Sequence, residues 1–223
     1  MIVFERVSKR FGGLSVLEGL DLSVRDGEIV GIVGPSGSGK TTILKLVADM
    51  VSPDEGRVRV AAGALVSLAY VFQEPRLLPW RTALDNVAVA LRARGATRVA
   101  AREVATHWLE RVGLKGFEQY HPAELSGGMA QRVAIARAFA IDPRILLLDE
   151  PFSNMDASLK ASLISILQEM ITEQAITVLL VTHDLTEALQ LADRIVELTQ
   201  DRRLRELDLT DRRAVAAEWL GSC

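Results

Sequence analysis

Gly34-Pro35-Ser36-Gly37-Ser38-Gly39-Lys40-Thr41 decides the fold of this chain. The spacing G-x-x-x-x-G-K-T is that of a phosphate-binding loop. Glu28-Ile29-Val30-Gly31-Ile32-Val33 precedes it as an apolar, strand-like run, and Thr42 to Met50 follows as a predicted helix. In that context glycines let successive backbone N–H groups turn inward on phosphate oxygens, and the helix N-terminus adds its positive end. Lys40 is placed to reach the β- and γ-phosphates and the Thr41 hydroxyl to ligate Mg²⁺. A glycine-rich turn that merely caps a helix is the competing reading. The strand–loop–helix order favours a nucleoside triphosphate site.

The 223 residues suffice for a large core. An apolar share of 49% and a charged share of 25% are ordinary for a globular protein. The formal net charge of −3 supplies no basic field for nucleic acid. Apolar runs such as Ile176 to Val181 are strand-sized, too short to span a membrane. Strand-like residues begin at Ile2, so no signal peptide is expected. The single cysteine, Cys223, excludes an internal disulfide and a thiolate metal site, and reads as an exposed thiol in a cytosolic setting.

Alternation over Ile2–Val7 and Leu20–Val24 predicts a strand pair, with Gly12-Gly13 as a turn between them. Pro53 and Gly56 punctuate the chain before a predicted edge strand, Arg57–Val60, and Leu68–Phe72 reads as a buried strand. Thr82 to Ala140 is mostly helical, with Val104, Trp108 and Val112 at i, i+4 and i+8 as core positions. After Pro143 the strands Ile145–Leu148, Ile176–Val181 and Arg194–Leu198 alternate with helices over Ala157–Thr172 and Asp184–Leu191. Asp201–Glu206 mixes charge signs and reads as a solvated face. A mainly parallel sheet interrupted by a helical insertion accounts for this order, with the phosphate loop at the carboxyl edge.

Asp149-Glu150 stands at the tip of a buried strand, where two adjacent acids are costly without a cation or a shared proton. Beside a phosphate loop, Asp149 is expected on Mg²⁺ and Glu150 on the attacking water. The strand Ile176–Val181 delivers Thr182-His183-Asp184 to the same edge, placing His183 where a γ-phosphate would lie. His107 and His121 have no such context and read as surface or packing residues.

Leu125-Ser126-Gly127-Gly128-Met129 precedes a small-residue helix, Val133–Ala140. With this stretch the chain resembles the ATP-binding cassette (ABC) ATPases over nearly its whole length. Leu125–Met129 resembles that family's signature loop, Leu146–Pro151 its Walker B strand, and Gln73 its Q-loop glutamine. Ser153-Asn154-Met155-Asp156 is similar to the D-loop, His183 to the switch histidine, and Phe11 to the aromatic that stacks on adenine. Two departures stand out: the D-loop reads SNMD, keeping Asp156, and the signature ends in Met129, leaving Ser126, Gly127 and Gly128 intact. Leu77-Leu78-Pro79-Trp80-Arg81-Thr82, with Leu84-Asp85-Asn86-Val87, resembles importers of the nitrate, sulfonate, taurine and thiamine-precursor group.

The resemblance implies a P-loop α/β core with a mainly parallel sheet, an antiparallel β subdomain and a helical insertion, at about residues 82–142, carrying the signature loop, all within one cassette spanning residues 1–223. It implies ATP contacts from Phe11, Gly34, Pro35, Ser36, Gly37, Ser38, Gly39, Lys40, Thr41 and Thr42, and Mg²⁺ contacts from Thr41, Gln73 and Asp149. Glu150, His183 and Gln73 would be catalytic. A second copy would present Ser126, Gly127 and Gly128 in trans, with Asp156 at the interface. The implied assembly sits at the cytoplasmic face of the cell membrane. A separate permease would contact Leu77–Trp80, and a substrate-binding protein would serve it indirectly. A soluble cassette ATPase acting as a mechanical switch is the alternative; such proteins tend to carry paired cassettes or a long coiled-coil insertion, neither of which occurs here.

Overall fold

Ile29–Val33 (β3), Ile145–Asp149 (β6) and Thr177–Thr182 (β7) are buried at every position. Runs of this kind need cover on both faces, as parallel sheets have. The computed structural model describes residues 1–61, 67–153 and 155–210. It supplies that cover. Six strands lie in the order β5-β6-β7-β3-β8-β9, where β5 is Leu68–Val71, β8 Arg194–Leu198 and β9 Leu204–Glu206. All neighbours are parallel except the β8–β9 pair. A second sheet, β2-β1-β4, is antiparallel and joins Leu14–Val24 (β2), Ile2–Phe11 (β1) and Glu55–Val60 (β4).

Side chains alternate between two cores, as the two-residue period of a strand requires. Ile32, Ile145, Leu147, Leu179 and Val181 face a core shared with helix α1 (Lys40–Val47) and the antiparallel sheet, where Phe4, Leu17 and Ile43 are buried. Val33, Leu146, Leu148, Val178 and Leu180 face the other. That core is completed by α2 (Ala83–Ala93), α3 (Arg98–Arg111), α4 (Gly127–Phe139), α5 (Ala157–Gln174) and α6 (Leu185–Leu191). Each of these helices starts on a residue suited to capping, Thr82, Thr97, Ser126, Asp156 and Asp184, whose side chain accepts a first-turn N–H.

Several elements depart from the expected bounds. β1 and β2 run on to meet at Gly12-Gly13, but register shifts between Phe4 and Val7 break the alternation that would have revealed their length. Val104 is exposed; the inner face of α3 is Ala101, Ala105, Trp108 and Leu109, with Trp108 packed 5.5 Å from Phe139. The signature helix begins at Gly127 rather than Val133, because Ser126 caps it. Asp201–Glu206 is mostly exposed, as expected, and its last three residues form strand β9, paired to β8. His107 and His121 are exposed, His107 edge-on to Trp108. Cys223 and Asn154 lie outside the described residues.

One ionic cluster ties the start of α5 to the β7–α6 turn. Lys160 Nζ lies 2.6 Å from Glu187 Oε1 and 3.2 Å from Asp184 Oδ2. Glu187 is buried and also accepts the Thr182 hydroxyl. Burial works to lower the Lys160 ammonium, but Glu187 and Asp184 outweigh it and hold the group above the ordinary lysine value. Lys160→Met would leave Glu187 buried without its cation, an arrangement that costs several kcal/mol. With Lys160 itself partly exposed, we expect a loss of about 2–3 kcal/mol in urea unfolding, with Lys160→Arg recovering most of it. An unchanged midpoint in the methionine variant would show that the cluster contributes nothing.

Candidate functional site

The phosphate loop leaves β3 and enters α1 at the carboxyl edge of the parallel sheet. Gly34 and Gly39 are obligatory there. A Cβ on Gly34 would sit 2.6 Å from the Leu198 carbonyl oxygen, and one on Gly39, at φ 109°, 2.6 Å from Val16 Cγ1. Gly39 offers no side-chain cap, and in the first turn of α1 the Thr42 and Ile43 amides turn back onto its carbonyl. Lys40 is buried and curls back to donate to the Gly34 and Pro35 carbonyls, 2.8 Å each. Burial pushes its ammonium below the ordinary lysine value, against the pull of Glu150 and Asp149. The Ser38 hydroxyl is buried in the same loop with no hydrogen-bond partner. A glycine turn at a helix N-terminus, a desolvated ammonium and an unpartnered hydroxyl suit a polyanion.

The acidic side of the site is assembled by three strand ends. Thr41 Oγ1 donates to Asp149 Oδ1 at 2.8 Å, joining α1 to the tip of β6. The next residue, Glu150, takes a left-handed backbone at φ 45°, and its N–H donates to the Val181 carbonyl at 2.8 Å. That turn lifts its carboxylate off the strand line. Glu150 Oε2 then accepts from Gln73 Nε2 at 3.2 Å and lies 3.1 Å from His183 Nδ1. Lys40, Thr41, Asp149, Glu150, Gln73 and His183 thus form one cluster. No group of three or more His, Cys, Asp or Glu side chains poised for a metal occurs among the described residues. Thr41 and Asp149 offer one hydroxyl and one carboxylate, oxygen donors of the type that hard cations take.

Other expected site residues stand outside this hydrogen-bonded cluster. Phe11 closes β1 at the hairpin tip, 46% exposed, with Lys9 Nζ 5.2 Å from its ring. Ser126 and Gly127 are exposed at the start of α4, where Ser126 Oγ accepts from the Met129 N–H at 3.2 Å. A Cβ on Gly128 would meet Met155 at 3.7 Å, and Asp156 caps α5 through the Ser158 and Leu159 amides. Leu77 and Leu78 are half-buried, whereas Trp80 is 70% exposed. Trp80 is therefore no part of the chain's own core.

Residues 17–153 match the family described as ABC transporter. The chain belongs to the ABC transporter family. An Fe(3+) ions import ATP-binding protein of Agrobacterium fabrum is 40% identical over 99% of this chain and 66% of its own length. This ABC-family chain thus spans just under two thirds of that relative. An aliphatic sulfonates import ATP-binding protein of Pseudomonas syringae is 47% identical over 84% of the chain and 76% of its own length. Among solved structures, a dimeric ATP-binding cassette in a post-hydrolysis state, bound to ADP and Pi, superposes with a TM-score of 0.84. It is 34% identical, and the match covers 94% of this chain and 99% of that one.

Sequence reasoning missed the side chains that hold this ABC site in shape. Asn86, fully buried, accepts from the Leu78 N–H at 2.7 Å and donates to the Leu78, Arg81 and Thr82 carbonyls, pinning the loop that presents Trp80. Arg137 of α4 donates to the Pro75 and Arg76 carbonyls. Tyr70 donates its phenol to Asp149 Oδ2 at 2.9 Å. A polar-tipped aromatic on a buried strand was the signal that could have found it, since a tyrosine hydroxyl taken from water needs a partner. Asn86 and Arg137 carry no comparable signal, because their partners are loop carbonyls.

Proposed function

We propose that this chain is the ATP-hydrolysing, nucleotide-binding subunit of an ABC transporter, working at the cytoplasmic face of a membrane through a separate permease. The observation that carries the reading is the convergence of Lys40, Thr41, Asp149, Glu150, Gln73 and His183 on one sheet edge beside the glycine loop. Gly34 to Thr42 would hold the triphosphate and Phe11 the adenine. Mg²⁺, held by Thr41, Asp149 and Gln73, would neutralise charge between the β- and γ-phosphates. Glu150 would orient the attacking water, and His183 would hold both Glu150 and the γ-phosphate oxygens. Catalysis of this type is mostly positioning and charge stabilisation.

The glycine loop covers one side of a triphosphate. Ser126, Gly127 and Gly128 at the α4 N-terminus have the donors to cover the other in a second copy, with Asp156 at the contact. Two head-to-tail copies would then enclose two ATP molecules, and loss of the γ-phosphate link would reopen them. The dimeric state of the ADP-bound structural relative supports that arrangement. For cargo, we favour small solutes of the nitrate, sulfonate or taurine type, imported with the help of a substrate-binding protein. Residues Leu77–Val87 support that, as does 44–47% identity to sulfonate-import relatives against 39–40% to ferric-ion ones. No helix among the described residues is long and apolar enough to cross a membrane, so the permease would be a separate chain.

The permease contact is assigned to Leu77, Leu78, Pro79 and Trp80. An exposed tryptophan on a pinned loop is a typical interface anchor. Beside it, α2 and α3 enclose a cavity of about 170 Å³ lined by Arg81, Asp85, Arg92, Arg98 and Arg102, suited to acidic side chains of a partner.

Three measurements test this reading. Glu150→Gln should retain ATP binding, lose phosphate release by roughly 10²–10⁴-fold, and accumulate as an ATP-bound dimer in size-exclusion chromatography. Near-normal hydrolysis by a monomer would remove Glu150 as the base. Ser126→Arg should abolish hydrolysis yet still bind nucleotide, because the damage falls on the partner's ATP; loss of binding in the isolated variant counts against the sandwich. Trp80→Ala should melt like the unsubstituted chain and bind ATP normally, but fail to co-purify with the permease. Intact assembly alongside a large fall in melting temperature would overturn the docking assignment.

A further inference from the structure

We propose that Tyr70 is a positioning residue for Asp149, and that its ring stack on Phe72 ties this carboxylate to the helix bearing Ser126–Gly128. The inference rests on the nucleotide and Mg²⁺ reading above and extends it to a residue that touches neither.

Asp149 is 5% exposed, and each of its carboxylate oxygens accepts one hydroxyl, Oδ1 from Thr41 and Oδ2 from Tyr70. Thr41 is the hydroxyl expected to turn its oxygen toward a cation. When it does, Oδ1 is released and Tyr70 alone of these two donors still fixes the plane of the carboxylate. An ordinary phenol holds its proton at neutral pH, so Tyr70 remains a donor. A hydrogen bond that orients a metal-binding carboxylate commonly sets the affinity of the site.

The same ring leads away from the cluster. Tyr70 and Phe72 are stacked with centroids 4.1 Å apart and planes 17° apart, and the Arg76 guanidinium lies 3.9 Å from the Phe72 centroid. Side chains of α4 grip three backbone carbonyls of the same strap, while Arg132 holds that of Val112. Gln131 Nε2 donates to the Phe72 carbonyl at 3.1 Å, and Arg137 donates to those of Pro75 and Arg76 at 2.8 and 3.0 Å. Gln131 is itself buried, its Oε1 without a hydrogen-bond partner. Residues 70–76 therefore link Asp149 to α4, at whose start Ser126 and Gly127 lie. The carboxylate held by Tyr70 is thus joined to α4 through two rings and three hydrogen bonds.

The test uses the intact chain with a non-hydrolysable ATP analogue and Mn²⁺ as the paramagnetic probe of the cation site. Tyr70→Phe keeps the stack and deletes only the hydroxyl. It should weaken Mn²⁺ binding by about tenfold in an EPR titration, the scale on which an outer partner acts on a metal site. Analogue affinity in EDTA and the melting temperature should stay as in the unsubstituted chain. At saturating Mn²⁺, this variant should pair with a second copy normally. Tyr70→Leu loses the stack as well, and should need about threefold more protein to pair, the scale of one aromatic contact. Mn²⁺ affinity within twofold of normal in Tyr70→Phe overturns the positioning role; so does loss of analogue binding in EDTA, which would make Tyr70 a residue of the fold. Equal pairing by the two variants overturns the link to α4. Failure of the unsubstituted chain to bind the analogue at all overturns the nucleotide reading itself.

Discussion

A parallel sheet covered on both faces has nowhere to keep a polar side chain except its edges. β3, β6 and β7 are buried at every residue, and their alternating side chains fill two separate cores. Asp149, Glu150 and His183 therefore fall where these strands end, together with the glycine loop that begins where β3 ends. The chemistry of the site follows from that exclusion. Groups that would be costly inside are gathered at one rim, and each finds a hydrogen-bond partner there. Asp149 meets Thr41 and Tyr70; Glu150 meets Gln73 and His183; Lys40 meets loop carbonyls.

Much of this was legible in the sequence, for a physical reason. The glycine loop, the Asp149-Glu150 pair and the Thr182-His183-Asp184 turn are each local, spelled out within a few residues, and strand ends position them without further information. The β1–β2 hairpin was legible at its turn but not along its length, because its bulges cancel the alternation that sequence reading relies on. β9 was hidden for another reason: Leu204–Glu206 is a short, charged edge strand whose identity comes only from pairing with β8. Val104 misled because an i, i+4, i+8 series fits more than one helical face, and Ala101 and Ala105 mark the true one.

The connections between elements were the least legible. Lys160 with Glu187, Gln131 with the Phe72 carbonyl, and Arg137 with Pro75 and Arg76 join residues 27 to 62 positions apart. Nothing in the spacing of such residues distinguishes them from ordinary surface charge or amide. The left-handed backbone of Glu150 belongs with them. A glutamate after a strand does not announce a positive φ, yet this turn brings its carboxylate between Gln73 and His183.

Asn86 has a consequence of a different kind. Its four hydrogen bonds fix the backbone of Leu78, Arg81 and Thr82 from beneath, and they are made with main-chain groups. The position of the loop is thus set independently of the side chains at its crest, Pro79 and Trp80, which face outward. Framework and crest are separable, as in a tool with an exchangeable bit. A lineage could rewrite the crest to follow a changing partner while Asn86 keeps the mount unaltered, and an engineer could graft a foreign crest onto the same mount.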